Sequence, residues 1–209
     1  MIITIGNSKG GVGKSTIACN LASMAAKENK KVLLVDADPQ ASSLNFRSIR
    51  EADDIKATAI TTPTLHKDLK EFTNFDLIII DSGGRDSVIF RSSILAADIL
   101  IIPVLPSVYD IWATSDTLEV VQEAKIFNEK LITRFLLNMV MANTIMAREA
   151  LQALEEKKEI PILKGQLGAR SSFKNGIISG QGVIEHAPKS KAAYELAACY
   201  HEIMLLGDF

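Results

Sequence analysis

Short apolar runs alternate with longer stretches of mixed apolar and polar residues along this chain. The runs are four to six residues long, are rich in Ile, Leu and Val, and lack polar alternation, as do strands that are covered on both faces. They predict strands at 2–5, 32–35, 77–80, 99–104 and 135–140.

Between and after these strands, apolar residues recur at helical spacing, which predicts helices at 14–29, 65–72, 111–129, 146–158 and 189–206. Strands that alternate with helices favour a mostly parallel sheet with helices on both faces, so we expect an α/β fold. Since no linker or repeat interrupts the pattern, we expect residues 1–209 to form one domain. Residues 47–64 are polar and rich in Thr, and they predict either a loop or an irregular helix.

A glycine-rich segment, K-G-G-V-G-K-S-T, lies between the first predicted strand and the first predicted helix. Its glycines let successive backbone N–H groups point at phosphate oxygens, and the helix N-terminus adds partial positive charge. In this setting Lys14 would reach the β- and γ-phosphates, and the Ser15 hydroxyl would bind Mg²⁺. We therefore expect a nucleotide-binding loop, with phosphate contacts from Lys9, Gly10, Gly11, Val12, Gly13, Lys14, Ser15 and Thr16.

This segment departs from the ordinary phosphate-loop pattern, G-x-x-x-x-G-K-[ST], at its first position. Ser8 stands where that pattern has glycine, and an additional lysine, Lys9, directly precedes Gly10. The alternative interpretation is a glycine turn with a surface lysine. The complete octet between a strand and a helix favours the phosphate loop.

Acidic residues follow two of the predicted strands. Asp36 and Asp38 follow the second strand in L-L-V-D-A-D-P-Q, and Asp81 follows the third in L-I-I-I-D-S-G-G. Carboxylates at the ends of strands near a phosphate loop can hold a metal ion, so Ser15, Asp38 and Asp81 are the expected Mg²⁺ residues. Asp38 is also expected to orient or deprotonate the attacking water. The alternative is that these residues form turns or cap helices.

Composition and charge narrow the class of protein. The chain has 47% hydrophobic and 23% charged residues, which is ordinary for a globular protein and excludes general disorder. A net charge of −2 argues against a wholly basic nucleic-acid coat. Two distant cysteines, Cys19 and Cys199, form neither a disulfide scaffold nor a zinc site. No apolar stretch is long enough to span a membrane, so we expect a cytoplasmic protein.

The phosphate loop, D-A-D-P-Q and I-I-I-D-S-G-G together resemble the deviant Walker A ATPases, and among these the ParA partition ATPases. Two later segments agree with this resemblance: A-A-D-I-L-I-I-P-V at 96–104 and G-V-I-E-H-A-P-K-S-K-A-A-Y-E at 182–195. The resemblance covers nearly the whole chain. The shortness of the chain and a strand that begins at Ile2 resemble the small ParA type without an N-terminal helix-turn-helix domain.

This resemblance implies a mechanism in which ATP is sandwiched between two subunits of a homodimer. The signature lysine, which matches Lys9, would reach the partner's phosphates, and the residue that matches Asp38 would support hydrolysis. ATP-bound dimers of the family bind DNA without sequence preference, so the protein would associate with the nucleoid in that state. A ParB-like adaptor stimulates their weak hydrolysis, which moves or spaces a cargo such as a plasmid or chromosome.

Three further groups of residues are candidates for contacts. Residues 40–45 are placed to sense the γ-phosphate, or they are an ordinary helix start. Asn138 follows the fifth predicted strand and is the first candidate for reading the adenine edge, with Asn143 the second. Basic residues in the C-terminal third, where acidic residues are sparse, are candidates for DNA phosphate contacts or form a solvated face. They are Lys164, Arg170, Lys174, Lys189 and Lys191.

Other functions within the same fold remain as alternatives. A MinD-like membrane-associated ATPase would carry a basic amphipathic C-terminal helix, but residues 192–209 contain no Lys or Arg, so we expect no membrane partner. A regulatory ATPase that acts on a protein partner also stays open. An iron–sulfur reductase is disfavoured because Cys19 and Cys199 fall inside predicted helices. A nucleotide-binding scaffold without turnover is disfavoured by the presence of Lys14 together with Asp38 and Asp81.

Overall fold

A computed structural model describes residues 1–84, 87–141 and 144–207 of the chain. Within these residues, one sheet contains six strands in the order β3-β2-β4-β1-β5-β6, and all of its neighbouring strands are parallel. The strands are β1 (Ile2–Ile5), β2 (Val32–Ala37), β3 (Ile55–Ala59), β4 (Leu77–Ser82), β5 (Ile99–Val104) and β6 (Ile132–Leu137). The predicted α/β fold with a parallel sheet is confirmed.

Helices connect the strands and cover both faces of the sheet. The helices are α1 (Lys14–Lys27), α2 (Ser42–Ile49), α3 (Leu65–Asp68), α4 (Val88–Ala96), α5 (Val108–Trp112), α6 (Thr114–Lys125), α7 (Ile145–Glu155), α8 (Ser171–Ile178), α9 (Val183–His186) and α10 (Lys191–Leu205). A single 3₁₀ turn, Leu69–Glu71, continues α3. None of the helices in the described residues is long and apolar enough to cross a membrane.

Alternate residues of each central strand pack into different hydrophobic layers. Ile3 and Ile5 of β1 join the layer that contains α1 and α10, whereas Ile78 and Ile80 of β4 join the layer on the opposite face. Because both faces are covered, the strands are apolar throughout, and this explains why their runs were visible in the sequence. The middle of each central strand is thus packed between two apolar layers, whereas polar residues lie at the carboxyl ends of β2 and β4.

The expectation for residues 47–64 was wrong, because this segment contains a strand. β3 lies at the edge of the sheet and pairs with β2, for example Leu34 with Ala57 and Val35 with Thr58. Of its residues only Ile55 is fully buried. An edge strand needs no continuous apolar run. Of the threonines in this segment only Thr58 lies in β3, whereas Thr61, Thr62 and Thr64 lie in the loop that follows it.

Other boundaries also differ from the predicted ones. The strand predicted at 135–140 is β6, which begins and ends three residues earlier. The polar residues Thr133 and Arg134 interrupt the apolar run, and this hid the first half of the strand. The helix predicted at 111–129 is two helices, α5 and α6, which meet at Ala113. The short helix α2 corresponds to the helix start that was one alternative for residues 40–45. Three other short helices, α4, α8 and α9, were not predicted, since each buries only two to four residues.

Candidate nucleotide-binding site

The carboxyl ends of three neighbouring strands bring the predicted site residues together. Asp81 at the end of β4 is in register with Ile5 of β1 on one side and with Asp36 of β2 on the other. The loop that follows β1 therefore begins beside two carboxylates. In a parallel sheet this edge is where ligands bind, because the connections to the helices open there.

The loop between β1 and α1 has the backbone that a phosphate loop needs. Gly11 and Gly13 have φ angles of 77° and 92°, which glycine adopts without strain. A Cβ atom at Gly13 would also collide with the side-chain amide of Asn138. The Gly13 carbonyl accepts the first helical hydrogen bond, from the Ile17 N–H at 3.0 Å. The N-terminus of α1 is thus directed at the loop, as anion binding requires.

Lys14 is held inside the site rather than in solvent. Its Nζ atom donates a hydrogen bond to the Lys9 carbonyl at 2.9 Å, and the residue is only 7% exposed. Burial lowers the pKa of Lys14, while the charges of Asp81 and Asp38 raise it. A polyanion that enters the site would supply the negative charge that this buried ammonium lacks.

Asp81 is the most deeply buried carboxylate of the site. The Ser43 hydroxyl donates to its Oδ2 atom at 2.5 Å, while its Oδ1 atom is buried and accepts no hydrogen bond from the described residues. Burial raises the pKa of Asp81 to about 7, although the nearby hydroxyls of Ser43 and Ser15 lower it. An oxygen without a partner beside the Ser15 hydroxyl fits the oxygen ligands that Mg²⁺ prefers. The residues present therefore suit a magnesium ion.

The two aspartates at the carboxyl end of β2 have different roles. Asp36 is buried, and its Oδ2 atom accepts from the N–H groups of Ser43 and Leu44 at 2.9 and 3.0 Å, which fixes the start of α2. Burial raises its pKa although these hydrogen bonds lower it. Asp38 lines the cavity, and among the described residues its carboxylate accepts only from the Gln40 N–H, at 2.9 Å to Oδ1. The sequence placed both residues at the strand end but did not separate the anchor from the cavity residue.

Lys9 forms an ion pair with Asp110 of α5 within the same chain. Its side chain is about one third exposed, so it lies at the surface of the site. The partner was not foreseen, because Asp110 is a hundred residues away and no local pattern links the two. The reach of Lys9 to a partner's phosphates stays a prediction.

Two neighbouring cavities form the binding space. The first has a volume of about 740 Å³ and is lined by the phosphate loop, Asp38, Gly84 and other residues. The second, of about 320 Å³, is mostly apolar, and its walls include Asn138, Leu167 and Phe173. Thr16, Met139 and Lys174 line both cavities. The arrangement suits a ligand with a highly charged end and a flat, less polar end.

Asn138 lies at the end of the apolar cavity that faces the phosphate loop. It is buried, and its Nδ2 atom donates to the Val12 carbonyl at 2.8 Å. The structure thus places this residue at the expected location, but its amide is engaged by the loop, and base reading stays a prediction. Asn143 lies outside the described residues.

The segment at 40–45 contains the end of a turn and the start of α2. Gln40 and Ser42 line the larger cavity, and Ala41 between them has a left-handed φ of 53°. The Ala41 N–H donates to the Asp38 carbonyl at 2.9 Å, which closes the turn. The segment therefore has both an ordinary helix start and a face toward the cavity.

The basic candidates do not form one uniform group. Arg170 pairs with Glu195 through two hydrogen bonds of 2.8 and 2.9 Å. Lys174 lines both cavities, which brings it to the candidate nucleotide site. Within the described part of the chain, no ion pair involves Lys164, Lys189 or Lys191. Glu195 and Glu202, which follow the basic stretch in sequence, fold back onto it: Glu202 accepts from the Lys164 N–H at 2.8 Å.

The phosphate loop, the strand-end carboxylates and the parallel sheet together define a P-loop nucleotide-binding protein. The sequence profile of the CobQ/CobB/MinD/ParA nucleotide binding domain matches residues 3–183. The chain belongs to this family, and it is an ATPase of the ParA/MinD type.

Individual proteins agree with this assignment. The chain is 30% identical to the maintenance of carboxysome distribution protein A of Halothiobacillus neapolitanus, over 91% of this chain and 90% of that protein. Its fold is similar to that of a Cyanothece McdA in complex with ATP, with a TM-score of 0.83, 19% identity and coverage of 99% and 96%. The septum site-determining protein MinD of Pyrococcus horikoshii, complexed with Mg-ADP, gives a TM-score of 0.81 at 19% identity, with coverage of 100% and 97%.

Proposed function

We propose that this ParA-type positioning ATPase binds ATP with Mg²⁺, dimerises on ATP and binds DNA without sequence preference in that state. It hydrolyses ATP slowly, a ParB-like adaptor stimulates the hydrolysis, and the cycle segregates or spaces a cargo such as a plasmid, a chromosome or a protein body. Residues 1–209 act as one ATPase domain.

The observation that carries this proposal is the pair of adjoining cavities. The larger cavity is bordered by glycines with positive φ, by Lys14 and by Asp38, and so it suits a triphosphate. The smaller, apolar cavity suits a purine ring, with Asn138 at its wall. A nucleotide that bridges both would pass Thr16, which lines the two cavities.

Magnesium would be held by Ser15 and Asp81, and Ser15 lines the same cavity as Asp38. When bound, the ion neutralises negative charge on the phosphate oxygens during transfer. Asp38 lines the cavity and accepts one backbone hydrogen bond from the described residues, so it is the carboxylate best placed to orient or deprotonate a water molecule. Lys14 holds the phosphates in place.

Lys9 would link hydrolysis to dimerisation. In the single chain its ammonium is paired with Asp110 at the surface of the site. A second copy that brings a further triphosphate near this surface would offer Lys9 a stronger, doubly or triply charged partner. The lysine would then exchange Asp110 for phosphate, and the dimer would form only with a nucleotide that carries the γ-phosphate.

DNA binding would use the exposed lysines of the C-terminal third. Lys164, Lys189 and Lys191 contribute most, because Arg170 is already paired with Glu195. Dimerisation doubles this modest patch, and a doubled patch releases twice as many counterions from DNA. This supports a dependence of DNA binding on ATP in a slightly acidic protein. The related protein named for carboxysome distribution indicates that the cargo need not be DNA.

Sedimentation of the wild-type protein and of Asp38→Ala tests the proposal. Wild type should be dimeric with Mg-ATP and monomeric with ADP. Asp38→Ala should remain an ATP-bound dimer, because turnover falls by about 10² or more when the water-activating group is lost. Normal hydrolysis by Asp38→Ala would remove it from the catalytic group. Dimers that bind lipid vesicles but not DNA would favour the MinD-like alternative.

A further inference from the structure

Ser43 is a buried hydroxyl between the two strand-end carboxylates. It is the second residue of α2, it is fully buried, and it does not line either of the two cavities described above. The sequence indicates it only as one member of the segment 40–45. Its position is determined by β2, β4 and α1, all of which meet at this point of the fold.

Three hydrogen bonds converge on Ser43. Its N–H donates to Asp36 Oδ2 at 2.9 Å, and its hydroxyl donates to Asp81 Oδ2 at 2.5 Å. The Cys19 thiol donates to the same hydroxyl oxygen, at 3.6 Å from sulfur to oxygen. Burial raises the pKa of Cys19 far above its ordinary value, so the thiol keeps its proton. The Ser43 hydrogen is therefore directed at Asp81.

This hydrogen bond fixes which oxygen of Asp81 remains for a ligand. Oδ2 is occupied by Ser43, while Oδ1 is buried and accepts no hydrogen bond from the described residues. A carboxylate held by one oxygen cannot rotate freely, and groups that orient a metal-binding carboxylate tune the affinity for the metal. The same residue, through its amide, belongs to the start of α2, close to the Asp38 turn.

We propose that Ser43 is a positioning residue of the magnesium site, which orients Asp81 through its hydroxyl and couples Asp81 to the start of α2. The proposal rests on the proposed function, because it requires that Asp81 face Mg²⁺ with bound nucleotide. It goes beyond that function because it assigns part of the Mg²⁺ affinity to Ser43, which belongs neither to the phosphate loop nor to the aspartates.

The test is a titration of Mg²⁺ into the complex of the protein with the fluorescent nucleotide mant-ADP, followed by fluorescence. This readout does not depend on turnover. Ser43→Ala removes one oxygen atom and should raise the half-saturating Mg²⁺ concentration about tenfold, as loss of a group that orients a metal ligand does. The affinity for mant-ADP in EDTA should stay within about twofold, since Ser43 lines neither cavity.

Ser48→Ala is the matched control. Ser48 lies on the same helix, is exposed, and its hydroxyl donates to the Asn45 carbonyl at 2.8 Å. This variant should show the wild-type Mg²⁺ titration.

Equal Mg²⁺ titrations for Ser43→Ala and Ser48→Ala would overturn the proposal. The proposal would also be overturned if Ser43→Ala lost as much affinity for mant-ADP in EDTA as it does in the presence of Mg²⁺. Such a result would mean that Ser43 acts through packing alone and not through the magnesium site. If the wild-type protein bound no nucleotide with or without Mg²⁺, the proposed function itself would fail, which separates the two outcomes.

Discussion

The carboxyl edge of the sheet and the basic C-terminal surface show opposite physical designs. At the edge, Asp36, Asp81 and Lys14 are buried, and named hydrogen bonds hold each of them. At the surface, Lys164, Lys189 and Lys191 are exposed and lack ion pairs within the described residues. Burying charges is costly unless a ligand or a partner compensates, whereas exposed charges cost little.

This difference indicates separate roles for the two regions. The side chains at the carboxyl edge are already held by hydrogen bonds without a ligand, so single substitutions there should have large, specific effects. The surface acts through the sum of its charges, so single substitutions there should have small, similar effects. The comparison would be wrong if substitutions on the basic surface had larger effects than substitutions at the carboxyl edge.

The largest effect is expected for Lys14→Ala. The variant leaves the phosphate cavity without its buried ammonium, and we expect nucleotide affinity to fall by about 10² or more, because a charge-assisted contact in a partly buried site is lost. Calorimetric titration with ATP measures this. Lys27→Ala, at the exposed end of the same helix, is the control and should bind as wild type does. Equal ATP binding by both variants would exclude Lys14 from the site.

Asp81→Asn should stabilise the nucleotide-free protein while weakening its response to Mg²⁺. The pKa of Asp81 is about 7 in the folded protein, against a reference value of 3.8. As the pH rises, the unfolded chain therefore loses the Asp81 proton at a lower pH than the folded protein does. Wild-type stability therefore falls as the pH rises from about 4 to 7 and stays lower above that range. Asp81→Asn has no carboxyl group to titrate, so its stability does not fall in this way. Its free energy of unfolding should therefore exceed that of wild type by at most about 4 kcal/mol at pH 8.

Urea unfolding in EDTA at pH 5 and pH 8 checks this prediction. The difference between Asp81→Asn and wild type should be larger at pH 8. A difference that is independent of pH, or a variant that is less stable at pH 8, would show that Asp81 is not strained by its burial.

Lys9→Ala should have an intermediate effect. Since Lys9 is paired with Asp110 at the surface of the site, its removal should leave ATP binding by the monomer within about twofold. ATP-driven dimerisation and turnover should weaken about tenfold, because one charged contact across the dimer is lost. Sedimentation and nucleotide titration on the same sample separate the two. If Lys9→Ala instead weakened ATP binding by the monomer, Lys9 would contact the nucleotide bound to its own chain.

The smallest effects are expected on the basic surface. Lys164→Gln and Lys189→Gln should each weaken DNA binding about threefold and reduce the dependence on salt by about one released counterion per substituted lysine. Arg170→Gln should change DNA binding less, because Glu195 already neutralises this guanidinium. Filter binding at several salt concentrations measures all three variants. A dominant effect of Arg170 would contradict the distinction.

The same contrast explains what the sequence could predict. The phosphate loop is one contiguous octet, and Asp36, Asp38 and Asp81 follow apolar runs that form the first part of β2 and β4. Local patterns were therefore sufficient to find them. The contacts of Ser43 with Asp81 and of Lys9 with Asp110 join residues far apart in sequence, and only the fold brings them together.

The elements that escaped prediction share a physical cause. β3 lies at an edge of the sheet and fully buries only Ile55, and α8 buries only Phe173 and Gly176, so neither offers a strong apolar period. Yet α8 carries Lys174 to both cavities, which no spacing in the sequence indicates. The strongly buried parts of the fold were thus predictable, while the thinly buried parts that complete the site were not.

Binding of random-sequence duplex DNA with ATP, with ADP and without nucleotide tests the central claim most directly, because it requires the edge and the surface to act together. We predict binding with ATP that weakens steeply with salt, and little binding in the other two states. DNA binding that is equal in all three states, or absent in all three although ATP still drives dimerisation, would contradict the account.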